Sequence, residues 1–242
     1  MTSTNPLQPA PALLAKPNWQ DTKRRFGDWW NGTGVIAGSW PGVRRAGPRD
    51  PSIPDPGPPS GLTQQWEDIG WRCAQLLHQA NTTDYPLETL PVADPWLGPG
   101  SLALYLGSKA KPTADSMWYD PVPLDPDDPT PIRLDPANRW WRLQLELIDR
   151  LRESVSGRVL VGTPDLVENW DILASLRDAQ ELLLDMLEQP GWVKERIAEI
   201  NAAWFEAYGI LREKISAQDG ESMFGWFRLW APGRVAKVQC DG

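Results

Sequence analysis

The period of hydrophobic and polar positions changes several times along the chain, and each change predicts an element. Across residues 18–30, Trp19, Phe26 and Trp30 recur at spacings that put them on nearby faces of a helix, with Asn18 placed to cap it. Residues 34–40 form a short apolar run, the pattern of a buried strand. Residues 47–61 are too rich in proline and glycine for regular structure, after which Thr63 caps a second helix reaching about Ala80. Trp66, Ile69, Cys73, Leu76 and Leu77 make its inner side. Residues 87–92 read as a strand interrupted by Pro91 and followed by Asp94, and Leu97-Gly98-Pro99-Gly100 then turns into a short apolar helix over 101–106.

The second half is patterned more regularly. Asp135-Pro136 gives a cap followed by proline at the first helical position, and Trp140, Trp141, Leu147, Ile148, Leu151 and Val155 fall on one side of the helix that Gly157 ends. A buried strand over 158–162, a turn at Thr163-Pro164 and a helix over 171–188 follow, closed by Pro190-Gly191. The next helix carries Val193, Ile197, Ile200, Trp204, Tyr208, Leu211 and Ile215 as a core stripe. Strands at 222–226 and 234–240 complete an alternation of strand, helix, helix and strand. That order implies a mostly parallel sheet of the α/β class. A last parallel strand needs a covering helix, and the chain stops at Gly242, so the expectation is part of a longer α/β domain.

Charge and composition narrow the function classes. The 242 residues carry 24 Lys and Arg against 32 Asp and Glu, a net charge of −8, which disfavours generic nucleic-acid binding. No apolar run approaches the roughly 18 residues of a membrane span, and no signal-peptide core opens the chain, so a soluble, cytoplasmic protein without a membrane partner is expected. Cys73 and Cys240 are the only cysteines and His78 the only histidine, which removes a disulfide framework, a Ser-His-Asp triad and a His-rich metal site. His78 reads either as a ligand or base, or as a helix-end residue placed against the helix dipole. Acid–base chemistry falls mainly to carboxylates. Of 25 prolines, 22 precede residue 137, separating a Pro-rich first half from a helical second half. Residues 1–17 read as a mobile arm and 18–242 as the folded domain.

Three groups of residues could carry chemistry. Asp94 follows a strand and precedes a glycine-rich turn, where α/β barrels place reactive groups and where a turn aspartate would also sit. Asp165, Glu168, Asn169 and Asp171 cluster after the strand at 158–162, either to meet a polar ligand or to cap the next helix. Of the 15 tryptophans, Trp29, Trp30, Trp140, Trp141 and Trp204 have helical spacing, the mark of core. Trp96, Trp170, Trp226 and Trp230 lie near strand ends, as aromatic walls for a flat ligand or as side chains buried at element ends.

Taken in order, Lys16-Pro17-Asn18-Trp19, Asp28-Trp29-Trp30-Asn31, Leu97-Gly98-Pro99-Gly100-Ser101, Gly162-Thr163-Pro164-Asp165-Leu166, Trp230-Ala231-Pro232-Gly233-Arg234 and Gln239-Cys240-Asp241-Gly242 resemble the uroporphyrinogen decarboxylase superfamily, which includes corrinoid methyltransferases. The resemblance runs from about Lys16 to the last residue. It implies an incomplete (β/α)8 TIM-type barrel, of which this chain supplies the N-terminal portion behind a Pro-rich and helical extension. It also implies catalytic roles for Asp94, matching the aspartate that faces pyrrole nitrogens, and for Asp241, matching a second family aspartate. A carboxylate there stabilises the cation formed as a side chain loses carbon dioxide.

Arg44-Arg45-Ala46-Gly47 resembles the family loop whose arginines hold substrate carboxylates, and Asp165, Asn169, Trp170 and Trp230 join the expected substrate contacts. Trp170 stands where the family has an active-site tyrosine. The implied function is decarboxylation of a porphyrinogen-type substrate. The alternatives are a zinc-dependent corrinoid methyltransferase and a non-catalytic small-molecule-binding barrel. The methyltransferase branch holds zinc through a His-x-Cys pair and a later Cys, and these 242 residues contain no such pair. Zinc or a corrinoid protein is therefore expected only if the whole protein is a methyltransferase. The expected small-molecule partner is tetrapyrrole-like, and two exposed sheet edges imply a dimer or an aggregate.

Overall fold

The computed structural model describes residues 15–40, 42–155, 157–215 and 220–237. In chain order the elements are α1 (Trp19–Trp30), β1 (Val43–Arg44), α2 (Leu62–Glu67), α3 (Ile69–Asn81), β2 (Thr83–Asp84), β3 (Val92–Ala93), α4 (Leu102–Tyr105), β4 (Lys109–Pro112) and β5 (Met117–Asp120). After them come α5 (Arg139–Val155), β6 (Leu160–Val161), α6 (Asn169–Arg177), α7 (Ala179–Glu188), α8 (Pro190–Ile215), β7 (Ser222–Phe224) and β8 (Leu229–Ala231). The fold is mixed α/β with eight helices and no closed barrel among the described residues.

The strands form four two-stranded pairs, of which only β3–β6 is parallel. That pair is extended by a parallel bridge from Thr163 to Phe224, so β3, β6 and β7 run side by side. The ladder is continuous. Leu160 N–H donates to Pro91 O at 2.9 Å, Gly162 N–H to Ala93 O at 3.1 Å and Thr163 N–H to Met223 O at 2.7 Å, while Thr163 O accepts from Gly225 N–H at 2.9 Å. Alternation along these strands sends Val92, Leu160 and Met223 to one face and Ala93 and Val161 to the other. The second face packs on α3 and α5 through Cys73, Leu147, Leu151 and Val155. The first packs on Trp19 and Phe26 of α1 and Trp230 of β8. This is where the architecture departs from the expected barrel. β8 returns antiparallel to β7 and, with α1, covers the face that a barrel would turn to its interior.

The largest core lies between α4, α5, α6 and α8. On α5, Trp141, Gln144, Leu147, Ile148, Leu151 and Val155 are buried, as the helical stripe requires, and burying each large apolar side chain contributes roughly 1.5–3 kcal/mol before chain entropy is set against it. Gln144 is the polar member of that stripe and accepts a hydrogen bond from the Tyr105 hydroxyl at 2.9 Å. On α8 the buried face runs through Ile200, Ala203, Ala207 and Leu211, because the two alanines let the helix approach its neighbours closely. That rotation leaves Trp204 half-buried at the edge of the stripe.

Several predicted boundaries shift for local reasons. Residues 34–40 are not a buried strand but a largely exposed segment, tied down where Glu88 N–H donates to Ala37 O at 2.8 Å and Ser39 N–H to the Thr89 hydroxyl at 2.6 Å. The predicted helix over 63–80 divides at Asp68, whose carboxylate accepts from Trp71 N–H and caps α3. The helix over 171–188 likewise divides at Asp178, which adopts φ 91° and accepts from Gln180 and Glu181 N–H. Asn138, not Asp135, caps α5, its oxygen accepting from Trp140 N–H at 2.8 Å and Trp141 N–H at 3.1 Å. Asn18 makes no side-chain cap, and Trp19 N–H donates to the turn carbonyl of Lys16. The strand expected over 87–92 contracts to β3, with Leu87 exposed at φ 51°.

Of the expected arm, residues 1–14 lie outside the described residues, while Ala15 and Lys16 are buried. Lys16 donates its ammonium to the carbonyls of Tyr85 and Leu87. Residues 234–237 belong to no strand, and Cys240 and Asp241 fall outside the described residues. No described helix is long and apolar enough to cross a membrane.

The close approach of β6 to β7 depends on Gly162, where an added Cβ would lie 2.4 Å from Gly225 Cα. Gly162→Ala is expected to destabilise the fold by about 1–3 kcal/mol or more, read as a lower urea midpoint. An unchanged midpoint would show that the strands do not meet there.

Candidate functional site

The site forms where β3, β6 and β7 end. Continuing the alternation by one step places Asp94, Gly162 and Gly225 on the face that carries Val92, Leu160 and Met223, with Gly162 level with Asp94 and Gly225 one step further along its own strand. With no side chain on Gly162, the Asp94 carboxylate reaches across to Gly225, where an added Cβ would lie 2.7 Å from Asp94 Cγ and Oδ1. Gly225 is therefore the floor under the carboxylate, and Gly162 is what lets Gly225 approach.

The Oδ1 of Asp94 is buried and has no hydrogen-bond partner among the described residues. Burial pushes its pKa up from 3.8 to about 7. Arg72 and Arg228 draw it back towards ionisation, and Asp165 adds a smaller push upward. Arg72 is buried as well, with a pKa brought down to about 10 mainly by desolvation, opposed by Asp94. Its guanidinium donates to the carbonyls of Trp66 at 3.2 Å and Trp96 at 2.5 Å, so it is anchored by backbone and not consumed by a carboxylate ion pair. Arg228, at the turn between β7 and β8 with φ 52°, donates to Leu90 O at 3.1 Å. Asp165 is held by Lys237 Nζ at 3.0 Å and by Val167 N–H at 3.1 Å, and its carbonyl accepts from Ser101 at the start of α4.

Above this cluster runs a line of indoles. Trp66 lies 5.7 Å from Trp96, Trp96 stacks on Trp226 at 5.2 Å and 26°, and Trp226 meets Trp40 at 5.5 Å. Exposure increases along the line, from buried Trp66 to exposed Trp40. Trp40, Arg228, Phe26, Ile36, Glu88 and Phe227 line an open cavity of about 250 Å³ beside it. A second cavity of about 490 Å³ lies against Trp204 and Tyr208 of α8.

Asp94 and Asp165 thus come close enough to influence one another, and Trp96 and Trp226 join them. The remaining expected residues go elsewhere. Arg45 pairs with Asp84 at 2.5 Å, shares that oxygen with Arg49 and takes Thr82 O through its backbone N–H. Thr82 follows the C-terminal end of α3, ten residues or about 15 Å along the axis from Arg72, and Arg44 is exposed opposite Thr83. Trp230 is structural packing: its ring meets Trp19 and Phe26 edge-on, its Nε1–H donates to Glu221 and its carbonyl accepts from Trp30 Nε1–H. Asn169 donates to Asn201 at 2.9 Å beside the second cavity, and Trp170 lines a separate groove with Met186, Val193 and Ile197. His78 lies near the C-terminal end of α3, its Nε2 3.7 Å from Asp55. Asp241 lies outside the described residues.

Sequence reasoning missed Arg72 and Arg228. A signal existed for the first, since Arg72 stands three residues after Ile69 and four before Leu76, a cation inside an otherwise apolar helical stripe. Arg228 offered none, because its turn exists only once β8 pairs with β7.

No protein-family model and no curated protein matches the chain. Among solved structures it is similar to a methyltransferase from Methanosarcina mazei, with 12% identity and a TM-score of 0.48 over 80% of this chain and 56% of that one. The chain spans little more than half the length of that protein.

The raised pKa has a signed consequence for stability. Between about pH 3.8 and 7 the unfolded chain ionises Asp94 while the folded protein keeps it protonated, so this group lowers stability as pH rises through that window. Asp94→Asn removes the slope. The variant is expected to match the wild type in urea midpoint near pH 4 and to exceed it at pH 8. A wild-type advantage that grows towards pH 8 would show that Asp94 is an ordinary ionised, paired carboxylate.

Proposed function

We propose that the strand-end cluster is a general-acid site and that the chain contributes it to an enzyme acting on a small carboxylic acid, with decarboxylation as the reaction. The observation that carries this reading is the buried, unpartnered Oδ1 of Asp94, held against Gly225 in the field of Arg72 and Arg228. A carboxyl that titrates near neutrality can give and recover a proton in each turnover. In the proposed step a substrate carboxylate is held at Arg228 on the wall of the 250 Å³ cavity; Asp94 is not part of that wall, so the step requires the reacting carbon to pass inward of Arg228 towards the strand ends. The carbon–carboxylate bond breaks, carbon dioxide leaves, and the electron pair left on carbon takes the Asp94 proton. The resulting Asp94 carboxylate forms beside two guanidinium groups, which favours the transfer, and water returns the proton. Trp40, the exposed end of the indole line, supplies a flat wall for a ring attached to the acid.

Size selects within the substrate class. The cavity is smaller than the roughly 300 Å³ at which sites for drug-sized ligands begin, so a single ring with an acid arm suits it better than a whole tetrapyrrole. No group of three or more His, Cys, Asp or Glu side chains among the described residues is arranged to hold a metal. The zinc set of the methyltransferase alternative is therefore not found among them, and no step is routed through zinc.

The test is anaerobic incubation of the full chain with porphobilinogen, as a one-ring acid, and separately with uroporphyrinogen III, following carbon dioxide release. Asp94→Asn is expected to lower turnover about 10²–10⁴-fold with folding retained, and the wild-type pH–rate profile to break near 7. Turnover unchanged in Asp94→Asn would remove the general-acid role. Methyl transfer from methylcobalamin to a thiol in place of carbon dioxide release would favour the methyltransferase reading, and binding of either acid without turnover would favour the non-catalytic one.

A further inference from the structure

The second cavity has its own chemistry. It lies on the α6–α8 side, does not include Asp94, Arg72 or Arg228 in its wall, and at about 490 Å³ falls within the range of small-molecule sites. Its wall is a set of aromatic faces. Trp204 and Tyr208 are stacked at 5.0 Å and 13°, and Phe205 packs edge-on against Trp204 at 5.2 Å while remaining 62% exposed.

The polar tips of the stacked pair are already satisfied. Trp204 Nε1–H donates to Val167 O at 2.9 Å, and the Tyr208 hydroxyl donates to Val235 O at 2.8 Å and accepts Val235 N–H at 3.1 Å. The rings are thus fixed in place by hydrogen bonds that do not point at a ligand, and what they offer is apolar face. Preorganised aromatic surface of this kind takes up a planar ring with little loss of side-chain freedom.

The charges on the wall decide the sign of the ligand. Lys237 is committed to Asp165. Glu168 puts one carboxylate on the same wall, with interactions of its own and its Oε2 buried, so an anionic ligand has to sit on the Arg234 side of the cavity. Arg234 is exposed on the same wall and has no ion pair or hydrogen bond among the described residues, in a chain whose net charge is −8. A guanidinium without a partner on the wall of an aromatic cavity matches a carboxylate carried on a planar ring system.

We infer that this cavity binds a planar aromatic carboxylate, its ring against Trp204, Phe205 and Tyr208 and its carboxylate on Arg234. The site is separate from the proposed acid centre, and its test does not depend on any reaction. Ligand-detected NMR and calorimetry on the full chain would use 1-naphthoate as the probe, with 1-naphthylmethylamine as the cationic control of equal shape. Saturable 1-naphthoate binding is expected, at least tenfold tighter than the amine. Arg234→Ala should weaken it about tenfold or more, and Phe205→Ala several-fold. Both side chains are exposed, so both variants should fold, which circular dichroism checks. Absence of saturable naphthoate binding up to millimolar concentration, equal binding of the amine, or unchanged affinity in Arg234→Ala would each overturn the inference.

Discussion

The approach of β6 to β7 at Gly162 and Gly225 is the constraint on which the rest of this structure turns. Parallel strands this short give few ladder bonds, and side chains in the last layer would hold the strand ends apart. Glycine at both positions lets the backbones close and leaves a gap one carboxylate wide. Asp94, on the same face, fills that gap. Its burial raises its pKa, Arg72 is drawn into the adjoining interior, and Trp96 and Trp226 stack at the same strand ends. The packing requirement and the chemical one are the same requirement here.

A lone buried carboxylate is costly, and the structure limits the cost by protonation instead of by a tight ion pair. Arg72 gives its hydrogen bonds to two backbone carbonyls and Arg228 to a third, so both cations act on Asp94 through space. This differs from Asp165, close by, which is held directly by Lys237. Two aspartates at neighbouring strand ends thus receive different treatment, one kept titratable and one used as an anchor for α4 and the chain beyond β8. The second cavity follows from a different packing decision. Ala203 and Ala207 take the innermost positions of α8, which leaves Trp204 half-buried and stacked on the buried Tyr208 where the cavity opens.

Much of the helical framework was legible in the sequence. The stripe of α5 has a strong 3.6-residue period, Gly157 follows its end, and Pro190 opens α8. Breaks inside predicted helices were harder to see, since Asp68 and Asp178 look like ordinary helix-surface residues until the chain turns there and their carboxylates become caps. Asp94 and Asp165 stood out because each follows a strand, and the structure places both at the ends of parallel strands. Arg44 and Arg45 stood out by likeness to a short loop, and the structure ties Arg45 to Asp84 at the far end of α3.

What the sequence determined by itself is therefore the local chemistry: where helices run, where the chain must turn, and which strand ends carry a carboxylate. Tertiary structure alone decided which of those ends meet and what environment they share. The α1 helix and the β7–β8 hairpin occupy the face that a barrel would enclose, and no periodicity within either segment specifies that docking. Gly162 and Gly225 lie 63 positions apart in the chain, and neither one predicts the other. A pKa near 7 at Asp94 is not a property of the residue but of the water its neighbours exclude, and those neighbours are assembled only by folding.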